Sequence, residues 1–181
     1  MPLLILSVLG VALWLATRSS QSDSDNSTKE DTVSSNDVTM IDSSVSFAID
    51  ALGWPYYYGM GSPSTPFEDG VYGVDCGGLV MMCAVQKGDI SSDSPDMTAH
   101  DIAMNCYKVE IGTQEPGDIA YYPGHVAYVV GYPGEDGHSP VISASGGNKT
   151  TKGDNPNAYV KLFESGAYRS DFVCYMRWNG K

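Results

Sequence analysis

The chain has 181 residues, with 22 acidic against 10 basic side chains and a formal net charge of −12 at pH 7. This length accommodates one compact domain with an appendage, because domains commonly run about 100 to 150 residues. The negative charge repels phosphate backbones and anionic headgroups, which argues against nucleic acid as a partner. Twenty Gly, ten Pro and twelve Tyr favour a loop-rich α+β or β-rich domain over a helical bundle.

An uncharged apolar segment, Leu3 to Ala16, opens the chain. As a helix it would be about 20–25 Å long, shorter than a bilayer core of about 30 Å. We expect residues 1–17 to be a membrane anchor or uncleaved signal, with a cleaved signal peptide and a buried core helix as alternatives. Residues 18–41 are dense in Ser, Asp, Asn and Thr, which predicts a flexible, disordered linker.

The globular domain is expected over residues 42–181. Its first helix is capped by Asp42 or Ser43 and ends at Gly53, because apolar residues between them recur at three- and four-residue spacing: Val45, Ala48, Ile49 and Leu52.

A second predicted helix begins at Cys76, with Asp75 as its cap and Gly88 as its stop. A thiolate is the nucleophilic form of cysteine, and the positive end of a helix dipole favours it. Gly77 and Gly78 cost about 1 kcal/mol each relative to Ala in a helix. In return, they leave the sulfur approachable and backbone donors open to an oxyanion. A small buried core residue beside glycines that allow close packing is the alternative interpretation of Cys76.

The other three cysteines are Cys83, Cys106 and Cys174. No two of the four have CxxC spacing, so the sequence predicts no metal site. Cys83 is interpreted as a core residue, and Cys106 and Cys174 as core or bridge cysteines.

Two adjacent antiparallel strands are predicted over residues 119–122 and 125–131, after a turn at 115–118. Period-two alternation puts His125, Ala127 and Val129 on one face, which we expect to face the Cys76 helix. His100 and His138 lie in polar tracts and are interpreted as solvent positions. His125 is therefore the candidate base for Cys76, since such a pair needs only spatial adjacency.

Four ordered motifs strengthen this pairing: Tyr56 with Gly59, Asp75 to Leu79, Pro116 to Asp118, and His125 to Ala127. With them the sequence resembles the NlpC family of papain-like cell-wall cysteine peptidases, from about Val45 to Trp178. The resemblance implies an α+β, papain-like fold in which the nucleophile helix packs on an antiparallel sheet, and no cofactor or metal.

The same resemblance implies a peptidase that cuts the peptidoglycan stem by attack of Cys76 on a peptide carbonyl. His125 would be the base and Ser143 the third residue, which orients the imidazole. Tyr56, Asp75 and Gly77 would contact substrate, with Tyr56 near the oxyanion.

This sequence departs from the family pattern at two positions. Gly77 stands where Ser is usual, and Ser143 stands where His, Asn or Gln is usual. Serine is a poorer orienter of imidazole, so His138 and Asn148 are kept as rivals for the third position.

Two other functions fit the same residues: a CHAP-like peptidoglycan amidase, which also uses Cys and His, and a degenerate, non-catalytic module that binds cell-wall peptide. The expected partners are peptidoglycan peptides and a membrane, through the N-terminal segment. We expect an extracytoplasmic, membrane-anchored domain, with a secreted or virion-associated protein as the alternative and a viral or secretion assembly as its setting.

Overall fold

The computed structural model describes residues 42–61 and 73–180. The predicted anchor and linker, residues 1–41, lie outside the described residues. Within the two described ranges, no helix is both long enough and apolar enough to cross a membrane. These ranges form three helices and six strands: α1 Ser43–Asp50, α2 Cys76–Lys87, α3 Ala99–Met104, β1 Cys106–Val109, β2 Ile119–Tyr122, β3 His125–Val129, β4 Val141–Ser145, β5 Tyr159–Phe163 and β6 Cys174–Trp178.

The predicted starts of the first two helices and the predicted end of α2 are confirmed, whereas α1 ends at Asp50, before the predicted Gly53. The Asp42 carboxylate accepts the N–H of Ser44 at 2.8 Å and starts α1. Asp75 starts α2 in the same way, and Gly88 ends it with a φ of 83°. A side chain rarely adopts this left-handed conformation, which is why glycine ends the helix.

The strands form one antiparallel sheet in the order β1-β6-β2-β3-β4-β5. The predicted pairing of β2 with β3 is confirmed, with Ile119 opposite Tyr128 and Tyr122 opposite His125. Between β3 and β4, the pairing covers only Tyr128 with Ile142 and Val129 with Val141. The two strands therefore do not pair at the end of β3 where His125 lies.

Each face of the sheet has its own apolar cluster. The first cluster holds α2 against one face and includes Leu79, Val80, Cys83, Val126, Tyr128, Ile142 and Ala144. The second, on the opposite face, includes Ala120, Tyr122, Ala127, Val129, Val141 and Tyr175, with Phe163, Tyr168 and Phe172 against it. The fold is thus α+β, as predicted, with α2 packed on an antiparallel sheet.

The prediction that His125, Ala127 and Val129 face the nucleophile helix is wrong. Ala127 and Val129 pack in the second cluster, whereas Val126 and Tyr128 pack with α2. Alternation in the strand is preserved, but the larger residues Val126 and Tyr128 fill the space against the helix. His125 still lies near the start of the helix, because it is the first residue of β3 and the backbone of the next residue, Val126, bonds the Cys76 sulfur.

Candidate active site

Cys76 is the first residue of α2, and the Asp75 side chain fixes its position. One carboxylate oxygen of Asp75 accepts the N–H of Gly78 at 2.8 Å, and the other accepts the N–H of Gly59 at 2.9 Å. Asp75 therefore ties the start of the helix to the segment after Tyr56. Its two oxygens are engaged by backbone, so its predicted substrate contact stays a prediction.

Burial is the main influence on the pKa of the Cys76 thiol. It raises this pKa from 9.0 to about 11, and the charge of Asp75 raises it further. Backbone N–H groups of Val126, Gly77 and Cys76 itself lower it. The expectation that the helix start favours a thiolate is therefore only half right. The donors converge on the sulfur, but desolvation outweighs them and the resting group is a neutral thiol.

His125 is neutral as well. Its side chain is 8% exposed. Burial first, and then the Arg169 guanidinium, lower the imidazole pKa from 6.5 to about 4. At physiological pH the ring thus keeps a lone pair that can accept a proton. The backbone N–H of Val126 bonds the Cys76 sulfur. Val126 directly follows His125 on β3, so the nucleophile and the base lie close together.

Ser143 lies at His125, where the sequence analysis expected the third residue. Its Oγ is 3.0 Å from His125 Nε2 and 3.1 Å from the carbonyl oxygen of Val126. Because the serine has one proton and the carbonyl can only accept, Ser143 donates to Val126 and accepts from the ring. This arrangement holds the proton of His125 on Nε2 and leaves Nδ1 with a lone pair that can accept the proton of Cys76.

The rivals for the third position lie elsewhere. His138 Nδ1 is 3.2 Å from the Tyr175 hydroxyl, and its ring packs edge-on against Phe172. The interpretation of His138 as a mobile solvent residue is therefore wrong, because aromatic packing immobilises it. The Asn148 side-chain oxygen accepts from the N–H and the hydroxyl of Thr150 within its own loop.

Tyr56 is close enough to the nucleophile to sense its charge. The residue is buried, and its N–H donates to the carbonyl of Ala158 at 2.9 Å. Burial raises the pKa of its phenol, and the charge of a Cys76 thiolate raises it further. The hydroxyl therefore remains protonated and able to donate a hydrogen bond.

The overall fold matches solved structures. The P60 domain of an antigen from M. avium subspecies paratuberculosis superposes with a TM-score of 0.53 at 19% identity, over 78% of this chain and 95% of that one. The chain has the fold of a P60 domain. No model of a protein family matches the sequence, and no curated protein does.

Two further structures share the P60 fold. An NLP/P60-family lipoprotein-like protein from Staphylococcus aureus gives a TM-score of 0.52 at 18% identity, over 87% of this chain. This chain spans only 46% of that protein. The peptidoglycan hydrolase RipB from Mycobacterium tuberculosis gives 0.51 at 17% identity, over 98% of this chain and 83% of RipB.

Backbone contacts account for the glycine at position 77. A Cβ at Gly77 would lie 2.8 Å from the carbonyl oxygen of Met97, and one at Gly78 would lie 2.5 Å from the carbonyl oxygens of Met60 and Gly61. Both distances are shorter than real Cβ contacts allow. Glycine is therefore required by packing at Gly77, and the predicted substrate contact there stays a prediction.

Tyr168, on the segment between β5 and β6, also lies at the site and was not predicted from the sequence. Its hydroxyl is 2.9 Å from His125 Nε2. Its ring stacks on Phe163 with centroids 3.7 Å apart and planes 11° apart. Nothing in the surrounding SGAYRSD sequence identifies this residue, because only the tertiary path of the segment brings it to His125.

The two described ranges contain no group of three or more His, Cys, Asp or Glu side chains placed to hold a metal ion. Their four cysteines are all free thiols. Cys83 is fully buried, as predicted, and Cys106 and Cys174 do not form a bridge.

Proposed function

We propose that this P60 domain is a cysteine peptidase that hydrolyses peptide bonds in the peptidoglycan stem. One observation carries the proposal: the backbone N–H of Val126, the residue next to His125, bonds the Cys76 sulfur, and Nε2 of the neutral His125 ring is bonded to Ser143. RipB, a peptidoglycan hydrolase of the same fold, supports the choice of substrate class.

The reaction would begin with proton transfer from Cys76 to His125. A thiol with a pKa of about 11 is a weak nucleophile at neutral pH, so the base must act as the substrate binds. Nδ1 takes the proton while the sulfur attacks the carbonyl carbon. The same proton then passes to the leaving amine, the acyl group remains on Cys76, and water attacks it with His125 again as base.

Three donors are available to the oxyanion of the tetrahedral intermediate. The N–H groups of Cys76 and Gly77 bond the sulfur, and the protonated Tyr56 hydroxyl is near enough to sense the charge of Cys76. Donors of this kind stabilise charge that develops in the transition state, and loss of one typically costs about 100-fold or more in turnover. Tyr56 is thus assigned to the oxyanion in this proposal.

We propose in addition that residues 1–17 tether the domain outside the cytoplasm, on a membrane. The apolar run and the polar linker after it support this proposal. A linker of about 24 residues with few apolar side chains would let the domain reach cell-wall peptides at a distance from its anchor.

Incubation of the full chain with purified peptidoglycan and mass spectrometry of the products test the function. We expect free amines within the stem peptide, none with Cys76→Ala, and normal yield with Cys106→Ala, which removes a partly exposed thiol at the far end of the sheet. Release of whole stems from the glycan would instead indicate an amidase. Unchanged glycan and stems, with binding retained, would indicate a binding module.

A further inference from the structure

Two oxygens, not one, lie at His125 Nε2. Ser143 Oγ is 3.0 Å from this nitrogen and Tyr168 Oη is 2.9 Å from it. We propose that Tyr168 is a positioning residue that shares the Nε2–H of His125 with Ser143 and thereby fixes the tautomer in which Nδ1 is free to accept the Cys76 proton. The proposal deepens the proposed function and rests on it.

The available protons support this direction of the bond. Ser143 uses its only proton on the carbonyl of Val126, so it can bond Nε2 only as an acceptor. Nε2 must then carry the proton, and Tyr168 becomes a second acceptor of the same N–H. The side chains of Ser143 and Ser145 both interact with the Tyr168 hydroxyl, Ser143 more strongly, so the phenolic proton has acceptors other than the ring.

Packing holds the Tyr168 hydroxyl in place. The ring stacks on Phe163 and meets the Tyr122 ring edge-on at 5.4 Å. Next to it, Arg169 makes two hydrogen bonds to the Asp171 carboxylate, at 2.8 and 2.7 Å, and lies over the Tyr122 ring. The phenol therefore has little freedom to leave Nε2, and it approaches from a segment of the chain that is independent of β4.

A second acceptor compensates for the choice of serine at position 143. A single hydroxyl that already donates to Val126 offers one lone-pair direction to the ring and does not define the ring plane. Two oxygens, one on β4 and one on the segment before β6, define both the tautomer and the plane. They also stabilise the imidazolium that forms when Cys76 is deprotonated, because a charged donor makes the stronger bond.

The opposite direction of the bond has opposite consequences. If Tyr168 donated to a bare Nε2, the ring proton would lie on Nδ1 and His125 could not accept the thiol proton. Removal of the hydroxyl would then release the base, raise the pKa of His125 and leave turnover equal or faster.

Tyr168→Phe in the full chain separates the two cases, because it keeps the stacked ring and removes only the hydroxyl. Tyr128→Phe is the matched control, since it removes a buried hydroxyl bonded to Ser44 at 2.8 Å, away from the base. The tautomer and titration of His125 are measured by ¹⁵N NMR of the imidazole. Assays on stem peptides measure kcat and KM.

We expect an Nε2–H tautomer in the wild type. In Tyr168→Phe we expect a titration midpoint at lower pH, kcat about tenfold lower and KM unchanged, whereas Tyr128→Phe alters only stability. A midpoint at higher pH with undiminished kcat, or an Nδ1–H tautomer in the wild type, would overturn the proposal. So would a Tyr168→Phe protein identical to the wild type in both measurements.

The double variant Ser143→Ala/Tyr168→Phe tests whether the N–H is shared. Each single variant keeps one acceptor, so we expect the double variant to lose more activity than the product of the single losses. Independent, multiplicative losses would contradict sharing. The NMR measurement needs no substrate, so an inactive chain that shows the expected tautomer and shift would refute the proposed function while leaving the positioning role standing.

Discussion

Burial of His125 links the stability of the domain to pH. The imidazole has a pKa lowered from 6.5 to about 4 by burial and by Arg169, with Asp171 opposing the change. A lowered pKa means that the folded state resists protonation. The stabilising contribution of the neutral ring is therefore fully present above about pH 6.5 and is lost as the pH falls towards 4.

The size of the effect follows from the difference between the two pKa values. One pKa unit is worth about 1.4 kcal/mol, so full protonation of the buried ring would cost the folded state about 3 kcal/mol, of which about 2 kcal/mol is lost by about pH 5. That is a large fraction of the stability of a small domain.

Chemical denaturation of the wild type and His125→Gln between pH 8 and 4 measures this contribution. Glutamine does not titrate, and it can still donate to Ser143. We expect the wild type to lose about 2 kcal/mol more than the variant between about pH 7.5 and 5. His100→Gln, at an exposed position on α3, controls for the loss of a histidine. Parallel curves for the wild type and His125→Gln would refute burial of the ring as the cause.

Three other predictions concern separate parts of the chain. Limiting iodoacetamide at neutral pH should label Cys76 before the other thiols, since only this sulfur has a base beside it; peptide mapping that finds Cys106 labelled first would contradict this. Gly78→Ala should lower the free energy of unfolding by about 2 kcal/mol in denaturant, because the clash with the carbonyl of Met60 exceeds the gain in helix propensity of about 1 kcal/mol. Deletion of residues 1–17 should leave a soluble domain with an unchanged melting temperature, and aggregation or unfolding would show that this segment belongs to the core.

Local rules in the sequence predicted the elements around the nucleophile. Asp75 and Gly88 bound α2 because a side-chain cap and a left-handed glycine are nearest-neighbour effects. The β2–β3 hairpin follows from a Pro-Gly turn between two β-prone runs. The pairing of Ser143 with His125 came from the resemblance to the NlpC family and not from a local rule.

The remaining features depend on tertiary contacts. The face of β3 that packs on the helix is decided by the volumes of Val126 and Tyr128, which alternation alone does not rank. The α3 helix was not predicted, although Thr98 and Asp101 form a capping box that the sequence carries. Tyr168 has no local signal at all, since its partner is 43 residues away.

The close approach of Gly77 to the carbonyl oxygen of Met97 couples the start of α2 to the segment before α3. A serine at position 77 would place its Cβ 2.8 Å from that oxygen, so it could be accommodated only if this segment moved. The segment, in turn, would lose its packing surface if it moved while glycine remained. Any redesign that introduces a larger residue next to the nucleophile must therefore rebuild the Met97 segment at the same time.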